Sequence, residues 1–160
     1  MERRAGEPFR TVGLDVVADD DPPGVAELTA AVDAHHVLVV DGAGDGFTHL
    51  VAWLWVGLAD GDLLIEQVSV DPSCRGRRLG TRLIALAVEH ARARGFPGVC
   101  LTSFVDVPWN GPLYRSLGFL PLDASDLRPD LRPDLHAVRA AEQDAGLDVA
   151  PRAAFRLPLR

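Results

Sequence analysis

The chain has 160 residues, a net charge of −7 and a pI near 5.1, long enough for one domain with a two-layer core and too acidic for broad nucleic-acid binding. Its 48% hydrophobic and 24% charged residues are ordinary for a globular protein. No apolar run approaches the roughly 20 residues that cross a bilayer, and the start Met-Glu-Arg-Arg-Ala-Gly-Glu lacks a signal peptide's apolar core. A single domain over 1–160, no membrane partner and a cytoplasmic location are therefore expected. Two cysteines, Cys74 and Cys100, give neither a disulfide framework nor metal-ligand spacing. All 16 basic residues are arginine, so position carries more than number.

Residues 11–17 alternate as a first strand would, and 19–24 break the chain before a helical stretch over 25–34. A strand over 36–41 leads through the glycine-rich turn 42–46 into a long β-run over 48–58, and 59–62 turns it back into 63–70. These hairpin signals predict an antiparallel meander. Asp71-Pro72 closes that last strand. Leu79, Leu83, Leu86, Ala87 and Ala91 then recur at helical spacing up to Gly95, which reads as a C-terminal cap. A buried strand over 99–104, a short helix over 110–117 ended by Gly118, and a strand over 119–122 follow. Residues 126–134 hold a tandem Leu-Arg-Pro-Asp pair, read as a loop insertion because two copies of four residues cannot make a repeat fold. A helix over 135–145 and a strand over 153–159 complete an α/β domain with a mixed sheet of about seven strands flanked by helices.

The passage from strand 65–70 through Arg75, Gly76, Arg77 and Arg78 into the helix is where anion chemistry concentrates. The main-chain N–H groups opening a helix have no intrahelical partner and lie at the positive end of its dipole, so Leu79, Gly80 and Thr81 face any bound phosphate. Guanidinium forks add bidentate partners for phosphate oxygens. A Gly-Lys-Ser/Thr phosphate loop is missing, and Gly76-x-x-x-Gly80 differs from the dinucleotide fingerprint. A basic site on an acidic body implies an anionic cofactor bound in one place.

Val68-Ser-Val-Asp-Pro followed by Arg-Gly-x-x-Leu-Gly at 75–80 resembles the coenzyme A diphosphate loop of the GNAT superfamily of acyl-CoA-dependent N-acyltransferases. Asn110-Gly-Pro-Leu-Tyr-Arg-Ser-Leu-Gly-Phe119 resembles that family's second signature, and Asp106-Val-Pro-Trp-Asn110 resembles a bacterial branch of it. The element order agrees, so the resemblance covers about 9–159. Arg78 departs from the pattern, since family members commonly carry glycine there.

The resemblance implies a sheet splayed between the family's fourth and fifth strands, with acetyl-CoA as donor, coenzyme A as product and no metal. Val68, Ser69 and Val70 would meet the pantetheine arm, Arg75 to Thr81 the diphosphate, and Asn110 the cofactor or its own helix as a cap. Tyr114 aligns with the tyrosine that protonates the coenzyme A sulfur; the plainer reading is a core tyrosine. Glu66 is the leading general base, although strand alternation sets it with Leu64, Val68 and Val70 on a core-facing side where an unpaired carboxylate is costly unless a bulge redirects it. Asp106 and a water chain compete for that role. Trp53, Trp55 and Trp109 are core or acceptor-pocket residues, and His35, His36 and His49 show no metal spacing.

The implied function is transfer of an acetyl group to a small-molecule or peptide amine by direct attack in a ternary complex. Alternatives are a non-catalytic acyl-CoA-binding regulatory domain, or an acyltransferase using another acyl or carrier-protein donor. The last helix and strand of such folds often join subunits, so a homodimer is a further expectation.

Overall fold

The computed structural model describes residues 1–42 and 49–159. Of the turn expected over 42–46 only Gly42 is described; residues 43–46, and Thr48 of the following strand, lie outside the described residues. The described strands follow the order β1-β2-β3-β4-β6-β5 in one open mixed sheet of six strands. The chain divides into two compact units, Met1–Gly57 with Ile65–Glu89, and Leu58–Leu64 with His90–Arg160.

The first unit opens with helix α1 (Glu2–Gly6), a 3-10 turn (Glu7–Val12) and α2 (Asp15–Ala18). The strand expected over 11–17 is therefore helical instead. Alternation would have buried Val12, Leu14 and Val16 together, yet Val12 and Val16 are 40% and 56% exposed, while Leu14, at the N-cap of α2, and Ala18, at its end, are buried. Pro8 starts the 3-10 turn and Gly13, at φ +75°, ends it. This accounts for six strands where about seven were expected. Glu2 ties α1 down, its carboxylate accepting from Trp53 Nε1 at 2.6 Å, Gln67 Nε2 at 2.8 Å and Ser69 Oγ at 2.7 Å.

Helix α3 (Val25–Asp33) and strands β1 (Val37–Asp41), β2 (Leu50–Ala59) and β3 (Asp62–Val70) follow. β1 pairs antiparallel with β2 from Val37 opposite Trp55, slipping register after Val40. Asp60 and Gly61 turn β2 into β3, both at positive φ (52° and 81°), the demand of the tight hairpin turn for which Asp-Gly is a strong signal. After a 3-10 turn (Pro72–Cys74), α4 (Leu79–Arg94) buries Leu83, Ile84, Ala87, Val88 and Ala91. Leu86, counted in the predicted apolar face, points to solvent.

In the second unit β4 (Gly98–Phe104) pairs antiparallel with β6 (Arg152–Pro158), and the two-residue β5 (Leu120–Pro121) pairs with the other edge of β6. α5 (Gly111–Ser116) joins β4 to β5, and α6 (Pro133–Asp144) precedes β6. Phe119, Phe155, Leu101 and Val99 are buried. Asp62 is buried too, held by Arg156 through Nε at 2.6 Å and Nη2 at 3.0 Å, with Arg132 at 3.4 Å. Gly98 leaves room for that pair, since a Cβ there would stand 2.6 Å from Arg156 Nη2 and 2.7 Å from Asp62 Oδ1.

The second Leu-Arg-Pro-Asp copy begins α6. Asp60 of the hairpin turn accepts from the N–H groups of Asp134 and Leu135 at 2.9 and 3.1 Å, and Asp134 accepts from the N–H of Asp60 at 2.9 Å. A neighbouring turn thus caps a helix whose own N-cap residue, Arg132, supplies no side-chain cap. Further along α6, the Glu142 carboxylate gathers Thr102, Arg139 and Arg152, the last at 2.7 Å.

Candidate cofactor-binding and acid–base sites

The loop of the first unit is built on Asp71, a buried carboxylate. Oδ1 accepts from the N–H and Oγ of Ser73 at 3.0 and 2.8 Å, capping the 3-10 turn, and Oδ2 takes Arg4 Nη2 at 2.5 Å. Burial alone would raise its pKa; the Ser73 hydrogen bonds and Arg4 outweigh that and hold it below the usual carboxylate range. The buried Cys74 closes the turn, and the chain then runs exposed through Arg75, Gly76, Arg77 and Arg78.

Gly76 (φ +80°) and Arg78 (φ +57°) are both left-handed. The first bond of α4 runs from Arg82 N–H to Arg78 O at 3.0 Å, so the N–H groups of Leu79, Gly80 and Thr81 precede the helical ladder and point out of its end. Gly80 rests on β3, its absent Cβ 3.5 Å from Val70 Cγ2 and 4.0 Å from Val68 Cγ2. Val68 and Val70 are half-buried. The Ser69 side chain is buried and bonded to Glu2, which leaves only its main chain for a ligand.

Leu64 is buried, but the face it shares with Glu66, Val68 and Val70 opens beyond it, and Glu66 is exposed. The expected core-facing placement of this carboxylate is thereby corrected, with no redirection needed for it to reach solvent. Glu66 Oε1 lies 2.3 Å from where a Cβ of Gly57 would be. Desolvation first, and then the charge of Glu27, raises its pKa.

In the second unit Tyr114 is buried on α5, its ring edge-on to Phe119 and tilted against Phe155, both with centroids at 6.0 Å. Burial pushes its pKa up to about 12, against a hydrogen bond with Ser103 and the charge of Arg152, which both act downward. The phenol stays a proton donor at neutral pH.

Asn110 occupies the N-cap position of α5 without capping it. Instead Nδ2 donates to Ser103 Oγ at 2.7 Å, while the buried Oδ1 has no partner among the described residues. Asn110 Oδ1 therefore has an acceptor site to offer. Gly111 lets this helix start press against the end of β4, for a Cβ there would come within 2.1 Å of Val105 O.

Asp106 is exposed, and Trp53, bonded to Glu2, is a core residue. The pKa of buried Cys100 is pushed up to about 12 by desolvation and then by Asp62, leaving an inert thiol. Ser103, Gly57 and Glu2 had no signal in the sequence, because each matters through a partner distant along the chain. Among the described residues no group of His, Cys, Asp or Glu could hold a metal ion, and no helix is long and apolar enough to cross a membrane.

A model of the Acetyltransferase (GNAT) family matches residues 7–119. The probable N-acetyltransferase camello of Xenopus laevis is 38% identical over 61 residues, 38% of this chain and 28% of that protein. The chain thus matches little more than a quarter of the length of its curated relatives. Among solved structures, a Mycobacterium tuberculosis protein in complex with CoA and NLQ is similar at TM-score 0.65, 16% identity and coverage of 86% of this chain and 83% of that one. A chain of the NatC complex bound to Gag peptide and CoA is similar at TM-score 0.63, 14% identity and coverage of 89% and 85%. These two likenesses establish the shared fold, and the match over 7–119 establishes more: the chain belongs to the Acetyltransferase (GNAT) family, a family of acyltransferases.

Proposed function

We propose that this protein moves the acetyl group of acetyl-CoA to a primary amine, on a small molecule or a peptide, by direct attack in a ternary complex. The observation that carries the reading is the left-handed pair Gly76 and Arg78 placed directly ahead of the 16-residue α4, with Gly80 resting on Val68 and Val70. That geometry presents Leu79, Gly80 and Thr81 N–H groups and the exposed Arg75, Arg77 and Arg78 to a diphosphate. In the second unit Asn110 Oδ1, buried and without a partner among the described residues, offers an acceptor.

Acetyl-CoA supplies an activated carbonyl and a thiolate leaving group. On this reading, which follows the resemblance, the main chain of Val68 and Val70 pairs with the amides of the pantetheine arm. Glu66 takes a proton from the acceptor ammonium, a task its raised pKa suits. As the new C–N bond forms and the C–S bond breaks, Tyr114 gives its phenolic proton to the departing sulfur; the second proton of the attacking nitrogen leaves for solvent as the amide forms, and solvent restores the phenol.

Calorimetry with acetyl-CoA, followed by thiol release over a panel of amines, tests this. Binding is expected, with turnover for at least one amine and a fall of about 100-fold or more in kcat for Tyr114→Phe with binding retained. Binding without turnover across the panel makes the protein a regulatory acyl-CoA sensor. Turnover with a longer acyl donor alone reassigns the donor, and the lack of any heat removes the proposal.

A further inference from the structure

Gln67 and Ser69 of β3, and Asp71 just beyond it, all carry their side chains to the short helix α1 within the first unit. Gln67 Nε2 and Ser69 Oγ donate to Glu2 Oε1 at 2.8 and 2.7 Å, and Trp53 Nε1 of β2 donates to Glu2 Oε2 at 2.6 Å. Asp71 Oδ2 takes Arg4 Nη2 at 2.5 Å while its Oδ1 caps the turn through Ser73. The residues between, Val68 and Val70, lie 4.0 and 3.5 Å from where a Cβ of Gly80 would be. Successive side chains of a strand point to opposite faces, so the end of β3 lies between α1 on one face and the start of α4 on the other. No residue of α1 is buried, so its hold on β3 rests on the polar contacts of Glu2 and Arg4.

We infer that Glu2 and Arg4 are positioning residues for acetyl-CoA, through which α1 holds 67–71 in the arrangement that keeps the main chain of Val68 and Val70 and the turn through Gly76 and Arg78 ready for the cofactor. Neither residue has to touch the ligand. The inference rests on the reading of that turn as the diphosphate site. Where a binding segment is ordered in only a fraction of molecules, the apparent affinity falls by that fraction, because ordering it on binding offsets part of the contact energy. Removing the Glu2 carboxylate leaves three donors without that acceptor, one of them the indole N–H of the buried Trp53, and removing Arg4 takes the cation from the buried Asp71. Both changes leave every proposed cofactor contact chemically intact.

Calorimetry with acetyl-CoA on the full chain, together with hydrogen exchange of the unliganded protein, tests this. Glu2→Ala is expected to raise the Kd about tenfold and Arg4→Ala about threefold, with Glu2→Gln and Arg4→Lys, which keep an acceptor and a cation, recovering part of each loss. Without ligand, Glu2→Ala should speed exchange of the Asp71 and Ser73 amides, which donate to Val51 O and Asp71 Oδ1, by about tenfold. Ala31→Gly, at a buried position of α3, lowers the stability of the same unit outside these contacts and should leave the Kd within about twofold. An unmoved Kd in folded Glu2→Ala, an equal loss in Ala31→Gly, or unchanged exchange at Asp71 and Ser73 overturns the inference. If Glu2→Ala fails to fold, Glu2→Gln and Arg4→Ala decide by the same readings. Those results with a wild-type protein that binds overturn this inference alone; a wild-type protein that gives no heat with acetyl-CoA removes the reading of the turn and this inference with it.

Discussion

Glu66 and Gly57 share one space: the Glu66 carboxylate lies where any side chain on Gly57 would begin, with Oε1 2.3 Å from the missing Cβ. Gly57→Ala therefore moves the carboxylate while leaving its chemistry intact. A fall of about tenfold in kcat/KM is expected with little change in acetyl-CoA affinity, against about 100-fold for Glu66→Gln. Only the ionised form accepts a proton and its pKa is raised by desolvation and Glu27, so the acid limb of the wild-type pH profile should lie above the ordinary carboxylate range and vanish in Glu66→Gln. The linkage has the opposite sign for stability. A raised carboxylate disfavours folding once ionised, so Glu66→Gln should stabilise by a few tenths of a kcal/mol at neutral pH after solvent screening, and by nothing in acid.

Arg78 holds a left-handed backbone that side chains resist. Arg78→Gly should raise stability by about 1 kcal/mol in thermal melts. It should also weaken acetyl-CoA binding about tenfold in calorimetry, because a charged donor is lost from the loop proposed to hold the diphosphate.

The two Leu-Arg-Pro-Asp copies differ in what they hold. Arg128 and Asp130 of the first form an exposed pair, so Asp130→Ala should change stability by less than about 0.5 kcal/mol. Asp60 receives the start of α6, at the end of the second copy, through two N–H groups, and Asp60→Ala should cost about 1–2 kcal/mol in urea titrations.

Cys74 is buried beneath the arginine loop. Cys74→Ala should cost about 1 kcal/mol of stability and leave turnover standing. Loss of turnover with acetyl-CoA binding intact would instead point to a covalent acyl-thiol route.

What could be read in advance was local. Asp71-Pro72, Gly76, Gly80 and Gly95 mark a turn and the two ends of a helix by their own backbone chemistry, and the strand–turn–helix stands where they placed it. The stretch 11–17 was misread because Val12, Leu14 and Val16 alternate like a strand, while the burial that decides the matter falls on Leu14 and Ala18. Ser103 looked like any strand serine. Its partner is the Asn110 amide seven residues away, a relation set by the fold of β4 against α5. Gly57 was silent for the same reason, since a missing side chain signals only once its neighbour is known.

The gathering of Thr102, Arg139 and Arg152 on Glu142 bears on how such chains can be recombined. Exchanging the stretch between β5 and β6 for a shorter connector would strand a guanidinium and a hydroxyl that lie within the second unit. A graft there must carry Glu142, or replace Thr102 and Arg152 in the same stroke with apolar side chains of matching volume.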